Sequence, residues 1–175
     1  MSAEGVNPEP LVGEAVEGAR AAAAGLTGDD PKAVTAGFWD ALYARDWARV
    51  RSFFGPTSIY LDVPTGPAAA AEGPENIVKR LRLGLEDLAR YDHGPATVIA
   101  EGGIVVTEHT EMWEWPTGER ATLPFVSVQH VRDGVITLWK DYWDLGTLMG
   151  AAPPDWMDQL MGGDMSWMSD VTGRI

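Results

Sequence analysis

The chain has 175 residues, with 26 acidic against 13 basic side chains for a net charge of −13, 45% hydrophobic residues, eight tryptophans and no cysteine. A chain of this length suits one domain that buries roughly 70% of the surface its unfolded form exposes, enough for a core without metal or disulfide staples. The missing cysteines exclude disulfide frameworks, thiolate zinc sites and thiol nucleophiles. A charge of −13 without a basic cluster argues against nucleic acid and anionic membranes as partners.

No apolar run approaches the ~20 residues of a membrane span, and the opening MSAEGVNPEP lacks the basic and apolar regions of a secretory signal. The protein is expected to be soluble and cytoplasmic. Residues 1–28 are rich in Ala, Gly, Glu and Pro and contain no aromatic residue, which reads as a flexible tail. Asp29-Asp30-Pro31 starts the ordered part, an acidic cap followed by Pro at a first helical position. Val34, Phe38, Ala41 and Leu42 then recur at helical spacing, and a second short helix carries Trp47, Val50, Phe53 and Phe54 up to Gly55-Pro56.

Ser58 to Val63 reads as a strand, followed by a Gly/Pro/Ala loop to Gly73-Pro74. Glu75 to Arg90 reads as a helix with Ile77, Leu81, Leu85 and Leu88 on one face and Lys79, Arg80 and Arg82 largely on the other. After His93-Gly94-Pro95 the period falls to two. Thr97 to Glu101, Ile104 to Trp115, Ala121 to Arg132 and Val135 to Asp144 form four strands, with Asp133-Gly134 as a strong hairpin signal. Helices followed by an antiparallel meander predict an α+β domain over residues 29–150, with helices packed on one face of a curved, mostly antiparallel sheet around an apolar pocket. Residues 151–175 form a Met/Trp-rich segment, including Trp156, Met157, Leu160, Met161, Met165 and Trp167, that should dock on its own pocket mouth or on another subunit.

Strand parity locates the candidate chemistry, because side chains two apart share a face. His109 and Glu111 share the face of Val105, Trp113 and Trp115, and Asp141 lies between Trp139 and Trp143. Tyr60 and Asp62 are likewise two apart on the first strand. These five residues are expected to converge in one aromatic cavity lined by Trp113, Phe125, Trp139 and Trp143. Carboxyl groups crowded in a desolvated site cannot all keep their reference pKa values, and one protonated beside one ionised is a common basis of acid/base chemistry. His93, His109 and His130 share no metal-ligand spacing, and there is no phosphate loop or GxSxG elbow. Neither a metal nor a cofactor is expected.

Three segments, Tyr60-Leu61-Asp62-Val63-Pro64, Thr107-Glu108-His109-Thr110-Glu111 and Trp139-Lys140-Asp141-Tyr142-Trp143-Asp144-Leu145, resemble the limonene-1,2-epoxide hydrolase family of the NTF2-like (SnoaL/ketosteroid isomerase-like) superfamily. The resemblance spans about residues 30–148 and implies a cone-shaped NTF2-like fold. It also implies that Tyr60 and Asp141 orient an attacking water, with Asp141 as its general base. Asp62 stands where the family has a water-holding Asn, Glu111 where it has the Asp that protonates the epoxide oxygen, and His109 where it has an Arg that bridges the two carboxylates. Replacing that Arg exchanges a permanent bidentate cation for a titratable ring.

The function implied is cofactor-independent hydrolysis of an epoxide on an apolar small molecule. An isomerase, dehydratase or epoxide-opening cyclase on the same fold is the first alternative, and a non-catalytic small-molecule-binding or dimerisation module the second. A homodimer is expected, by analogy and because exposed sheet and Met/Trp surface need cover.

Overall fold

The computed structural model describes residues 30–175, and the expected tail over residues 1–28 lies outside them. Asp30 caps α1 (Pro31–Tyr43), its carboxylate accepting from the backbone N–H groups of Lys32 at 2.8 Å and Ala33 at 3.3 Å. The buried face of α1 carries Val34, Phe38, Ala41 and Leu42, as the spacing predicts. Asp46 caps α2 (Trp47–Ser52) through the N–H of Arg49.

β1 (Phe54–Asp62) starts at Phe54 rather than Ser58, so Gly55-Pro56 lies inside a strand. The register with its neighbour shifts between Phe54 and Ile59, and such a bulge tolerates Pro56 because not every residue there must donate to the ladder. Ser58 Oγ closes the irregular stretch, accepting from Gly55 N–H at 2.8 Å and donating to the Ile136 carbonyl at 2.6 Å. Two 3₁₀ turns then lead to β2 (Ala70–Glu72), antiparallel to β1.

α3 (Pro74–Leu85) ends at Leu85 rather than Arg90, and the chain continues into a strand that the sequence does not announce, β3 (Arg90–His93). Leu88 is still buried, so apolar spacing continues past the end of the helix and hides the change. β4 (Thr97–Glu101), β5 (Ile104–Glu114), β6 (Arg120–Arg132) and β7 (Val135–Tyr142) lie where the alternation places them. The β6–β7 turn puts Asp133 and Gly134 at φ of 52° and 74°, the left-handed pair that a tight hairpin requires.

The sheet order is β3-β5-β6-β7-β1-β2, with β4 also on β5, and the strand that completes it comes from the C-terminal segment. β1 runs parallel to β7, while every other pair is antiparallel. One face is covered: along β6, Ala121, Leu123, Phe125, Ser127, Gln129 and Val131 are buried and alternate with more exposed residues. Phe38 of α1 packs into this face with ring centres 4.8 Å from Trp139 and 5.5 Å from Phe54.

Beyond β7 the chain forms α4 (Leu145–Ala151), α5 (Trp156–Met161) and β8 (Met168–Ser169), which pairs with β2. Two ties hold this return: Val171 N–H bonds the Pro67 carbonyl at 2.9 Å, and Arg174 grips Glu72 with two hydrogen bonds of 2.7 and 2.8 Å. Among the described residues no helix is long and apolar enough to cross a membrane.

Candidate active site

Register brings the site together. Asp62 on β1 lies directly opposite Asp141 on β7, which faces Ser127 on β6, which faces Thr107 on β5. In the neighbouring row Tyr60 lies opposite Trp139. The inward parity read from the sequence therefore produces a polar row across four strands on the buried face of the sheet.

Tyr60 sits between the two aspartates, its hydroxyl 2.8 Å from Asp62 Oδ1 and 3.2 Å from Asp141 Oδ2. Asp62 Oδ1 also accepts from Trp143 Nε1 at 3.0 Å, and Asp62 Oδ2 is ion-paired with Arg80 of α3. Asp141 Oδ1 accepts from Ser127 Oγ and Trp139 Nε1. Both carboxyls are buried, with relative exposures of 4% for Asp62 and 2% for Asp141.

Burial and the adjacent Asp62 charge push the Asp141 carboxyl well above the usual carboxylate range, and the bonds from Ser127 and Trp139 offset this only in part. Burial, followed by the charges of Asp62 and Asp141, also holds the Tyr60 phenol well above its ordinary value. Tyr60 therefore keeps its proton, and one hydroxyl proton can serve only one acceptor. That proton goes to Asp62, the closer contact and the ion-paired carboxyl. Asp141 Oδ2 lies 3.2 Å from the same hydroxyl, so Tyr60 links Asp141 to Asp62, which in turn is paired with Arg80.

Glu111, on β5, is the centre of a second cluster. Its Oε1 accepts from the hydroxyls of Tyr91 at 2.7 Å and Tyr43 at 3.0 Å, and its Oε2 accepts from Trp113 Nε1 at 2.9 Å. Burial, and then the Glu111 charge, raise both phenols above their ordinary values, so both remain donors. His109 Nε2 lies 3.0 Å from the Tyr43 oxygen and 3.5 Å from Glu111 Oε1. With Tyr43 donating to Glu111, the network assigns the histidine proton to Nε2.

The five expected catalytic residues thus converge, but two of their expected contacts do not form. His109 reaches Glu111 and does not hydrogen-bond Asp141, so it is not a bridge between the carboxyls. It lies behind the cavity wall, its ring centre 5.0 Å from that of Trp39 and 5.9 Å from that of Phe125. The cation in the site is instead Arg80, which the helical pattern had placed on the outer face. Asp62, expected to hold a water, has its oxygens engaged by Tyr60, Trp143 and Arg80.

The sequence reading also missed Tyr43, Tyr91 and Ser127. Ser127 shares the parity of Phe125 and was open to the same argument. Tyr91 follows directly on the segment read as a helix to Arg90 and was assigned to no element.

The cavity between sheet and helices measures about 240 Å³ and is lined mainly by apolar side chains. All four expected lining residues, Trp113, Phe125, Trp139 and Trp143, border it, together with Tyr60, Asp62, Glu111 and Asp141. The Met/Trp segment supplies the remaining wall through residues that include Trp156, Met157, Leu160, Met161 and Met165. Trp156 packs against Trp113 and Trp115, with ring centres 6.5 and 5.8 Å apart. Among the described residues no group of three His, Asp or Glu side chains is arranged to hold a metal ion.

A family model described as a SnoaL-like domain matches residues 35–139. The chain belongs to the SnoaL-like family. Solved structures show the same NTF2-like fold. A candidate SnoaL-like polyketide cyclase of Shewanella putrefaciens aligns at 18% identity and a TM-score of 0.63, over 69% of this chain and 94% of its own. An NTF2-like protein of unknown function from Burkholderia pseudomallei aligns at 19% and 0.61, over 72% and 98%. An LEH-like epoxide hydrolase of Mycobacterium tuberculosis aligns at 24% and 0.55, over 74% and 88%. The SnoaL-like match ends at residue 139, so the wall built by residues 145–168 lies outside it.

Proposed function

We propose that this SnoaL-like protein is a cofactor-independent enzyme that opens an epoxide on an apolar small molecule by water attack, with Glu111 as proton acceptor and Asp141 as proton donor. The observation that carries this reading is that both carboxyls border one apolar cavity and that, of the two, Asp141 lies directly opposite another buried carboxyl, Asp62. Glu111 accepts from three neutral donors, while Asp141 is held above the usual carboxylate range by burial and by Asp62. A carboxyl that holds its proton can act as the acid while a second carboxyl on the same cavity accepts one.

In the step, Glu111 takes a proton from water as the water oxygen bonds to an epoxide carbon. The carbon–oxygen bond of the ring breaks, and the departing oxygen takes the proton of Asp141, giving a vicinal diol. Glu111 ends protonated and Asp141 ionised, and proton exchange with solvent resets both. These roles are the reverse of those the family resemblance implies. Acid/base assistance of this kind is worth about 10²- to 10⁴-fold. The C-terminal segment, as the cavity's remaining wall, excludes bulk water and selects the substrate.

A second reading, isomerisation or cyclisation without incorporation of water, is favoured by the engagement of Asp62 with Arg80, Tyr60 and Trp143, which leaves the expected water-holding group occupied. Turnover of a panel of apolar epoxides in ¹⁸O-labelled water separates the two. Hydrolysis gives diols carrying one labelled oxygen, whereas unlabelled isomers or cyclised products would support the second reading in place of the first.

A further inference from the structure

Arg80 stands apart from the other basic residues of α3. Arg82 is paired at the surface with Glu86, and Lys79 with Asp164, whereas the side chain of Arg80 is only 17% exposed. Two features make room for it. Gly84, one turn further along α3, lacks a side chain where a Cβ would come within 3.3 Å of Arg80 Nη1. On the other side the Trp167 ring covers the guanidinium, with its centre 5.5 Å from Cζ. Trp167 is itself held by the C-terminal segment, where β8 pairs Met168 with Ala71 and Lys79 Nζ bonds Ser166 Oγ at 3.0 Å. A helix glycine, a tryptophan from the far end of the chain and an aspartate of β1 thus build a slot for one guanidinium.

That guanidinium touches only one of the two neighbouring carboxyls. It pairs with Asp62 Oδ2, whereas Asp141 is bonded by Ser127, Trp139 and Tyr60. Tyr60 connects the two with a single proton. We propose that Arg80 is a positioning residue which, by pairing with Asp62 alone, fixes the ionised member of the Asp62/Asp141 pair and so leaves the transferable proton on Asp141. The titratable and charged groups facing the pair are Tyr60 on β1, Arg80 on α3 and, further off, Glu111 on β5. Of these, Arg80 is the one cation. Its catalytic consequence rests on the acid role proposed above for Asp141, but the proton placement does not depend on any particular reaction.

Infrared spectroscopy of the full chain near neutral pH tests this directly, because a buried protonated carboxyl has a carbonyl stretch that carboxylates lack. The wild type should show one such band and Asp141→Asn should remove it, since Asp62 remains ionised against Arg80. In the double variant Arg80→Gln/Asp141→Asn a band of one carboxyl equivalent should return, because Asp62, deprived of its cation in a buried site, takes up a proton. Arg80→Lys/Asp141→Asn, which keeps a charge in the slot, should leave the band absent. Absence of the band in the wild type, or its absence from the Arg80→Gln double variant, overturns the proposal. Arg80→Met/Asp141→Asn provides the same readout if the glutamine variant does not fold. If these bands behave as stated while no epoxide is opened, the reaction assignment fails and the role of Arg80 stands.

Discussion

Asp62 and Asp141 are direct neighbours on the parallel strands β1 and β7, and the Tyr60 hydroxyl lies within hydrogen-bonding distance of both. Two buried carboxyls at this range repel when both are ionised, which favours a proton on one of them. Arg80 on one side, and Ser127 with Trp139 on the other, make the two positions unequal.

Asp141 therefore links stability to pH. Its folded-state pKa is raised, so the native protein retains a proton that the unfolded chain releases above about pH 4. The corresponding stability is full below that point and is lost as pH rises toward the raised value, at up to about 1.4 kcal/mol per pH unit. Asp141→Asn mimics the protonated form: its oxygen can accept from Ser127 and Trp139 while its amide donates to Tyr60. Urea denaturation at several pH values should show the variant losing less stability than the wild type as pH rises from about 5 to about 7.

The proposed reaction uses both carboxyls, and neither amide replacement leaves an unfilled space. Glu111→Gln and Asp141→Asn should each lower kcat by about 10²- to 10⁴-fold, with circular dichroism melts that remain cooperative. Steady-state assays on an apolar epoxide check this.

Tyr91→Phe removes the shortest hydrogen bond to Glu111 and leaves that buried carboxylate oxygen with fewer donors. A cost of about 1–3 kcal/mol in folding stability is expected, measured by urea denaturation, along with reduced turnover.

Phe38 is fully buried among Trp39, Phe53, Phe54 and Trp139. Phe38→Ala should cost about 3–5 kcal/mol through lost burial and the cavity left behind. Because Trp139 is both its neighbour and a donor to Asp141, activity should fall as well.

Trp156 lies on the cavity wall outside the SnoaL-like match and packs edge-on to Trp113 and Trp115. Trp156→Ala enlarges the cavity at its C-terminal wall. Its relative kcat/KM values should shift toward bulkier epoxides, with a smaller effect on stability than that of Phe38→Ala.

Much of this arrangement follows from parity. Tyr60, Asp62, Glu111 and Asp141 are inward-facing positions of strands whose alternation is clear in the sequence, and cross-strand register then brings them together. Partner choice was less legible. The Arg80 side chain turns inward because Gly84 leaves room one turn away and Trp167 covers it, and a helical pattern scored on apolar residues registers neither. His109 has the expected inward parity, but parity does not specify reach: its ring meets Tyr43 and Glu111 and stops short of Asp141. The β3 strand was masked because Leu88 continues the helical spacing beyond Leu85, which also hid Tyr91. The C-terminal segment was recognisable as surface-seeking Met and Trp, but only the β2–β8 pairing and the ties at Val171 and Arg174 direct it to the chain's own cavity.

The pH dependence of kcat/KM for an apolar epoxide tests the assignment of Asp141 as proton donor most directly. The account predicts that kcat/KM falls on the alkaline side as Asp141 loses its proton. A profile that instead rises as Asp141 ionises and remains high above that point would make Asp141 the base and contradict the account.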